Sequence, residues 1–240
     1  MKSNKEIKEN LSTEAELPKD SSKTIKVLNL YAGIGGNRKL WDNVEITAIE
    51  NNLNIAKIYQ EFFPNDKVII TDAHQFLLES FEEFDFIWSS PPCPTHSKIR
   101  FMGSKAKHPI TNVQLEKKYP NMDLYQEIIF LTNYCNKKWV VENVVGYYEP
   151  LIKPQEIGKH YFWANFVITP FKIKIRNHNS TIEQMQKAKG FDLSRFDLSG
   201  LKTSHKKDLL LRNCVEPKLG LHILNCARSQ KQKLLSELKP

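Results

Sequence analysis

Residues 25–36 read IKVLNLYAGIGG, a short apolar run that ends in a glycine-rich turn. The run has the length and composition of a buried β-strand. The glycines after it allow tight backbone conformations and a close approach of the main chain to a ligand, with N–H groups that can point outward. This stretch therefore predicts a strand, a turn and a ligand site at the carboxyl end of the strand.

Short apolar runs and helical patterns alternate after this turn. Strands are predicted at 45–50, 67–71, 84–89 and 138–141, and helices at 53–63, 72–80 and 122–136. Such alternation is typical of βαβ units, so the sequence predicts an α/β fold with a mostly parallel sheet and helices on both faces. Ligands of these sheets bind at the carboxyl ends of strands, which is where Glu50, Asp72, Cys93 and Glu142 fall.

The chain also divides by composition. Residues 1–23 are rich in Lys, Glu and Ser and contain no aromatic residue, which predicts a tail without a packed core. We expect the main α/β domain to span 24–170. Residues 171–208 hold nine Lys and Arg against four acids and are interpreted as a basic insertion. Residues 209–228 are apolar and mostly helical, with predicted breaks at Pro217 and Gly220, and 229–240 form a basic tail.

Composition excludes several classes of protein. Of the 240 residues, 40% are hydrophobic and 26% charged, and no apolar run approaches a membrane span. The formal charge of +8 is compatible with nucleic acid but does not demonstrate it. Four cysteines are too few for a disulfide framework, seven scattered histidines lack metal-ligand spacing, and no signal peptide is visible. We therefore expect a cytoplasmic protein with reduced thiols and no metal site.

Three features together describe a site for an adenosine-containing cofactor. The glycine turn can lie against the ligand, and Glu50 ends the second strand, where a carboxylate can accept hydrogen bonds from ribose hydroxyl groups. Asp72 follows the third strand and could hold an adenine amino group. The glycines alone would also fit an ordinary tight turn. A Walker A Lys-Ser/Thr pair is absent from the turn, which argues against an ATPase.

The sharpest signal is the stretch SSPPCP at 89–94. Two prolines force a rigid, extended exit from the fourth strand, which places Cys93 at the functional edge of the sheet. A free thiol is mostly protonated near neutral pH, so a nucleophile here needs a cationic or helix-end environment. The basic side chains that follow are His96, Lys98, Arg100, Lys105 and Lys107. The alternative is a buried structural cysteine. Glu142, in the stretch ENV, would face a base bound over this thiol.

The order of these motifs resembles that of the DNA (cytosine-5) methyltransferase family, over nearly the whole chain after the tail. The matching stretches are YAGIGG at 31–36, PPC at 91–93, DLY at 123–125, ENV at 142–144, PQ at 154–155 with Lys159, and NCV at 213–215. The resemblance implies a Rossmann-like, S-adenosylmethionine-dependent methyltransferase fold of a short bacterial or phage-type enzyme. In it, 24–170 and 209–228 would form the catalytic core and 171–208 a small DNA-recognition insertion.

The resemblance also implies roles for individual residues. Cys93 would add to C6 of a flipped-out cytosine, Glu142 would hold N3 and the amino group, and Lys159 would contact O2. The implied cofactor-binding residues are Tyr31, Ala32, Gly33, Gly35, Gly36, Glu50, Asp72, Ala73, Pro92 and Asn213. The implied nucleic-acid contacts are Ser97, Lys98, Arg100, Lys105, Lys107, Lys174 and Arg176. The implied partner is double-stranded DNA, bound by a monomer, with a cognate restriction endonuclease as an optional second partner.

Some residues depart from the family pattern. Pro94 follows the predicted nucleophile where the family usually has Gln, and Ile157 stands at the first Arg of the P-Q-x-R-x-R motif. Arg-Asn-Cys at 212–214 replaces Gly-Asn-Ser. Lys159 replaces the second Arg and can donate to a carbonyl, but not bidentately.

Three other functions stay open at this point. One is cytosine-5 methylation of RNA or tRNA by the same residues. Another is methylation of a base amino group, which usually places an aromatic residue where this chain has Cys93. The last is a homologue that binds cofactor and DNA with little turnover.

Overall fold

A computed structural model describes residues 24–98, 101–102, 116–172, 180–201 and 206–229. Within them, one seven-stranded sheet has the order β3-β2-β1-β4-β5-β7-β6. Its strands are β1 (Ile25–Leu30), β2 (Val44–Ile49), β3 (Lys67–Ile69), β4 (Phe86–Ser89), β5 (Lys138–Val144), β6 (Gln155–Ile157) and β7 (His160–Ala164). β1 to β5 run parallel, and β7 is antiparallel to both β5 and β6.

Helices connect and cover these strands. They are α1 (Leu53–Phe62), α2 (Ala73–Ser80), α3 (Asp123–Tyr134), α4 (Ile182–Lys189), α5 (Lys206–Arg212) and α6 (Pro217–Ser229), with a 3-10 turn at Phe81–Glu83. The side chains of Asn52 and Asp72 cap α1 and α2 by accepting N–H groups of the first turn. Among the described residues, no helix combines the length and the apolar character needed to cross a membrane.

Alternating side chains of the central strands pack on opposite faces of the sheet. On one face, Val27 and Trp88 lie in an apolar cluster with side chains from α1, α4, α5 and α6. On the other face, Leu28 and Ile87 pack against α2 and α3. Burial on both faces explains why the strands are continuous apolar runs in the sequence. The predicted α/β fold with a mostly parallel sheet is thus confirmed.

Several predicted boundaries were wrong. β5 continues to Val144 because its antiparallel pairing with β7 runs past residue 142, so Glu142 lies inside the strand and not at its end. The predicted interruption at Pro217 is present, because α5 ends at Arg212 and α6 begins at Pro217, a residue tolerated in a first turn. The predicted break at Gly220 is wrong, because α6 continues through it. A Cβ at Gly220 would lie 2.7 Å from Asn37 Cα, so glycine permits a close helix–turn contact there.

Of the predicted insertion the structure describes 171–172, 180–201 and 206–208, and side chains of 180–201 pack on the same core as the sheet. The ring of Phe191 contacts the rings of Phe62 and Phe63, with centroids 4.8 and 6.4 Å away. Its use in DNA recognition stays a prediction. The tail at 1–23, the positions of Lys174 and Arg176, and 230–240 lie outside the described residues.

Candidate active site

The turn after β1 is tied to the sheet on one side and open on the other. Its Ala32 N–H donates to Ile49 O at 2.9 Å, and Gly35 N–H donates to Ala32 O at 2.9 Å. Gly33 has a φ of 55°, in the left-handed region that favours glycine. A Cβ at Gly33 would meet no other atom within 4 Å. The backbone at Gly33 therefore faces open space that a ligand can approach.

Gly35 and Gly36 face the protein instead. A Cβ at Gly35 would collide with the ring of Phe63, and one at Gly36 would lie 2.5 Å from Cys214 Sγ and 2.6 Å from Val215 O. Both glycines are thus required for packing, and the stretch NCV at 213–215 lies directly against the turn. Asn213 is exposed next to Cys214. A cofactor contact of Gly35, Gly36 or Asn213 stays a prediction.

Glu50 lies at the carboxyl end of β2 in a fixed orientation. Its Oε2 accepts the Gly33 N–H at 3.0 Å, and its Oε1 accepts the Asn52 N–H at 2.9 Å. Burial raises the pKa of Glu50, and the backbone N–H groups oppose that shift. Each carboxylate oxygen has a second lone pair, so Glu50 can still accept hydrogen bonds from ligand hydroxyl groups.

Asp72 provides a second carboxylate at the same edge of the sheet. Its Oδ1 accepts the Gln75 N–H at 2.9 Å, while its Oδ2 receives no hydrogen bond from any residue that the structure describes. Asp72 is exposed and the following Ala73 is buried. An open backbone face at Gly33 and two carboxylates suited to hydroxyl and amino donors therefore fit an adenosine-containing cofactor.

A buried carboxylate supports the turn from behind. Glu127 on α3 is 0% exposed, and its oxygens lie 2.6 Å from Tyr31 Oη, 3.1 Å from His74 Nδ1 and 2.5 Å from Ser89 Oγ. The Glu127 hydrogen bond raises the pKa of His74, and burial together with Glu127 raises that of Tyr31. Glu127 was not predicted from the sequence. The signal that could have found it is an acid on the apolar face of α3, next to Ile128.

Cys93 follows β4 in a turn that leaves its thiol half-buried. The Cys93 carbonyl accepts N–H groups from His96 at 3.0 Å and from Ser97 at 3.1 Å. Burial, followed by the charge of Glu142, raises the pKa of Cys93. Among the described residues no cation lowers the pKa of Cys93, and because Arg100, Lys105 and Lys107 lie outside them, activation of the thiol by these cations stays a prediction.

The segment around Cys93 is attached to β5 and to the chain after it. Asn143 Nδ2, inside β5, donates to Pro91 O at 3.0 Å. Ser97 forms a β-bridge with Gly146, and His96 Nδ1 lies 2.6 Å from Tyr148 Oη. These contacts hold Cys93 beside the strand that carries Glu142. Pro92 and Lys98 are exposed, whereas Arg100, Lys105 and Lys107 lie outside the described residues.

Glu142 pairs with a histidine that was not predicted from the sequence. His160 Nδ1 lies 2.6 Å from Glu142 Oε1. In the β5–β7 register Glu142 faces Phe162, so His160 is its diagonal neighbour on the same face of the sheet. Burial opposes the charged imidazole, but the hydrogen bond and charge of Glu142 outweigh it and raise the pKa of His160.

The positions matched to the P-Q-x-R-x-R motif flank this pair. Lys159 is exposed in the turn between β6 and β7, where its carbonyl accepts the Val145 N–H at 3.1 Å. Ile157 is 7% exposed and belongs to the core. An apolar residue at Ile157 therefore fills a buried site, and a contact between Lys159 and a base stays a prediction.

Strand register brings these groups to one edge. Leu30, the last residue of β1, pairs with Ser89 of β4, and Ser89 pairs with Val141 of β5. The glycine turn and the segment of Cys93 therefore follow β1 and β4, and Glu142 lies within the neighbouring parallel strand β5, directly after Val141. The arrangement places a half-buried thiol and a hydrogen-bonded carboxylate next to a turn suited to an adenosine-containing cofactor.

Comparison with known proteins agrees with this geometry. A family model described as C-5 cytosine-specific DNA methylase matches residues 25–146 of this chain. No curated protein matches the sequence significantly.

Several solved structures are similar over part of the chain. A DNMT2 variant from Spodoptera frugiperda is 24% identical, with 51% of this chain and 36% of that chain covered and a TM-score of 0.35. The methyltransferase EhMeth from Entamoeba histolytica is 20% identical over 68% of this chain and 60% of that chain, with a TM-score of 0.38. A putative DNA modification methyltransferase encoded within an E. coli prophage is 15% identical over 68% of this chain and 55% of that chain, with a TM-score of 0.40. This chain therefore spans about a third of the length of the first of these proteins.

Proposed function

The chain belongs to the C-5 cytosine-specific DNA methylase family, and we propose that it transfers a methyl group from S-adenosylmethionine to C5 of cytosine in double-stranded DNA. The family is S-adenosylmethionine-dependent, in agreement with the sequence prediction. The observation that carries the proposal is the position of Cys93 beside Glu142, on segments attached to each other and next to the glycine turn.

The residues at the glycine turn would hold the cofactor. The open backbone at Gly33 would approach it, Glu50 would accept its ribose hydroxyl groups, and Asp72 would accept its adenine amino group. When bound, the cofactor supplies an electrophilic methyl group attached to a positively charged sulfur. Contacts from Tyr31, Ala32, Ala73 and Pro92 are further predictions of the same resemblance.

Cys93 would make the target carbon reactive. C5 of cytosine is a poor nucleophile, and addition of the Cys93 thiolate to C6 would raise the electron density at C5. Among the cysteines, Cys93 is half-buried, while Cys135, Cys214 and Cys226 are buried. Because the charge of Glu142 contributes to the raised pKa of Cys93, hydrogen bonds from a bound base to Glu142 would favour the thiolate.

Glu142 would hold the base during this addition. A carboxylate accepts from the exocyclic amino group, and a carboxylic acid donates to N3, so the residue can follow the change in charge on the ring. Such preorganised contacts usually provide the largest part of a rate enhancement. Lys159, exposed at the β6–β7 turn, would reach O2 as a single-point donor.

DNA is the proposed substrate because the family acts on it and because the chain is basic, with a formal charge of +8. A stacked cytosine is inaccessible, so it must leave the helix at a cost of about a few kcal/mol that phosphate contacts have to offset. Lys98 is exposed directly after the turn of Cys93 and is one candidate for such a contact. A cognate restriction endonuclease, a monomeric state and a cytoplasmic location stay predictions.

Bisulfite sequencing of DNA from cells that express the protein tests this function, since it reports the base and its context together. We expect methylated cytosines with the wild type and with Cys226→Ser, a matched substitution of a buried thiol on α6, and none with Cys93→Ser. A duplex with 5-fluorocytosine at a modified position should form a covalent complex with the wild type but not with Cys93→Ser. Full methylation by Cys93→Ser would rule out the nucleophile.

A second assay separates DNA from RNA. Purified protein and radiolabelled S-adenosylmethionine would be incubated with a DNA duplex or an RNA of the same sequence. Transfer to DNA in excess over RNA supports the proposal. Transfer to RNA alone would replace DNA by RNA as the substrate, and cofactor binding without any transfer would identify a binding homologue.

A further inference from the structure

We propose that His160 is a positioning residue that supplies, through Glu142, the proton taken up by cytosine N3 when Cys93 adds to C6. This inference rests on the proposed function and extends it to a residue outside the predicted site. The P-Q-x-R-x-R motif would place an arginine two residues before Lys159, but this chain has the buried Ile157 there. The described hydrogen bonds of Glu142 come from His160 instead.

The geometry fixes both partners. The distance of 2.6 Å from His160 Nδ1 to Glu142 Oε1 is short, as in a charge-assisted hydrogen bond. Antiparallel pairing of β5 and β7 keeps the two residues on one face of the sheet, and Glu142 is only 8% exposed. Among the described residues, none donates a hydrogen bond to the other oxygen, Oε2. Oε2 is therefore the oxygen left for a base.

The charges around His160 act on its imidazolium in opposite directions. Glu142 faces it from β5 and stabilises the imidazolium, while Lys189 from α4 and Lys159 from its own turn destabilise it. Burial also disfavours the charge, and the net result is a raised pKa of His160. Cys93, the remaining titratable group near Glu142, has a raised pKa as well. The pair can thus store one proton next to a thiol that must lose one.

The proposed step forms one bond and transfers one proton. The electron pair of the Cys93 thiolate forms the S–C6 bond, and the C5–C6 π electrons shift into the ring. The imidazolium proton on His160 Nδ1 moves to the Glu142 carboxylate, and the carboxylic acid so formed, after rotation of its carboxyl group, donates that proton to N3. The products are neutral His160, a Glu142 carboxylate and a ring protonated at N3.

The same pair would recover its proton at the end of the reaction. Once C5 carries the methyl group, the C5 proton goes to water and its electron pair re-forms the C5–C6 double bond. The S–C6 pair leaves with Cys93 as thiolate, and N3 returns its proton to Glu142 and His160. An exposed lysine would supply charge but would hold its proton too tightly for this exchange, because its ordinary pKa is about 10.

The pH dependence of methyl transfer tests the inference. In the wild type the reactive form has a protonated His160 and a Cys93 thiolate. Low pH protonates Cys93 and high pH deprotonates His160, so kcat/KM should fall at both ends. His160→Asn keeps an N–H donor toward Oε1 but cannot titrate. We expect its rate to rise with pH to a plateau without the descending limb, and to lie about 100-fold below the wild type at the wild-type optimum.

The controls separate proton supply from folding. His160→Gln is a second variant in case His160→Asn does not fold, as judged by circular dichroism. His222→Asn makes the same change in a histidine that is bonded to Thr169 and not to a carboxylate, and it should keep the wild-type pH profile. A wild-type profile in a folded His160→Asn or His160→Gln enzyme would overturn the inference and leave the proposed function intact.

Titration of the histidine provides a readout that does not depend on activity. By NMR, the pKa of His160 should fall when Glu142→Gln removes the carboxylate, and an unchanged value would also overturn the inference. If the wild type transfers no methyl group to any cytosine, the proposed function fails first. The failure of the inference is thus distinguishable from that of the function.

Discussion

Tyr31 Oη lies 2.6 Å from Glu127 Oε1, which joins the first residue of the glycine turn to a helix 96 residues further along the chain. Tyr31 has a φ of 55°, a left-handed conformation that costs a side-chain-bearing residue about 1–2 kcal/mol. The hydrogen bond to a fully buried carboxylate offsets that cost. The hydroxyl of Tyr31 thus supports the glycine turn with a contact that phenylalanine could not make.

Removal of this hydroxyl should destabilise the protein. We expect Tyr31→Phe to lower the free energy of unfolding by about 1–3 kcal/mol, because it leaves a buried carboxylate with one donor fewer. Urea denaturation measures the change. Tyr134→Phe, on the exposed side of the same helix, is the matched control and should have little effect. Equal stability of both variants would show that the bond contributes nothing.

The hydrogen bond between His74 and Glu127 should make the free energy of unfolding depend on pH. The pKa of His74 is raised in the folded protein by its hydrogen bond to Glu127. The stabilisation from this hydrogen bond is therefore complete below the pKa of His74 in the unfolded chain, about 6.5. It is lost as the pH rises through the pKa of His74 in the folded protein. We expect the difference in unfolding free energy between the wild type and His74→Gln to narrow from about pH 6 to pH 9.

Chemical denaturation at each pH measures that difference. His222→Gln is the control, because His222 is hydrogen-bonded to Thr169 and not to a carboxylate. The difference in unfolding free energy between His222→Gln and the wild type should not narrow as the pH rises. If the difference in unfolding free energy between His74→Gln and the wild type widens as the pH rises, the assignment of a protonated His74 beside Glu127 is contradicted.

Alkylation should report the charge on Glu142. Burial and then Glu142 raise the pKa of Cys93, so Glu142→Gln should increase its thiolate fraction and speed its reaction with iodoacetamide a few-fold at about pH 9. Mass spectrometry locates the label, and Cys93→Ser should remove it. Glu61→Gln, an exposed carboxylate on α1, should leave the rate unchanged. A slower reaction of Glu142→Gln would mean that Glu142 does not oppose the thiolate.

Two glycines of the same turn should respond differently to alanine. Gly36→Ala puts a Cβ 2.6 Å from Val215 O, and such overpacking costs about 1–3 kcal/mol of stability. Gly33→Ala adds its Cβ to open space, so we expect strain of about 1–2 kcal/mol and, above all, weaker binding of S-adenosylmethionine. Thermal melts and calorimetric titrations separate the two effects. Unchanged cofactor affinity in Gly33→Ala would remove Gly33 from the binding surface.

The fold could be predicted because local signals agree with it. The apolar runs of β1 and β4 are buried on both faces, and the glycine turn and the two prolines before Cys93 mark strand ends by backbone chemistry alone. The helix cap at Asp72 was also visible, since a short acid before an apolar helical pattern is typical of a cap.

The partners of the site residues could not be predicted in the same way. His160 meets Glu142 only because β7 reverses direction and pairs with β5, and no local pattern reveals that register. Glu127 is one acid on an apolar helix face, and its three donors come from separate parts of the chain. Gly36 differs from Gly33 in facing the protein because it packs against Val215, which lies far along the sequence.

The contact of Gly36 with Cys214 and Val215 has a consequence for biosynthesis. The residues that close the rear of the turn follow it far along the chain, so they leave the ribosome much later than the turn does. A nascent chain therefore carries an unsupported turn until translation has passed residue 215. The backbone face at Gly33 that lies toward open space therefore gains its native support only after Cys214 and Val215 have packed behind the turn.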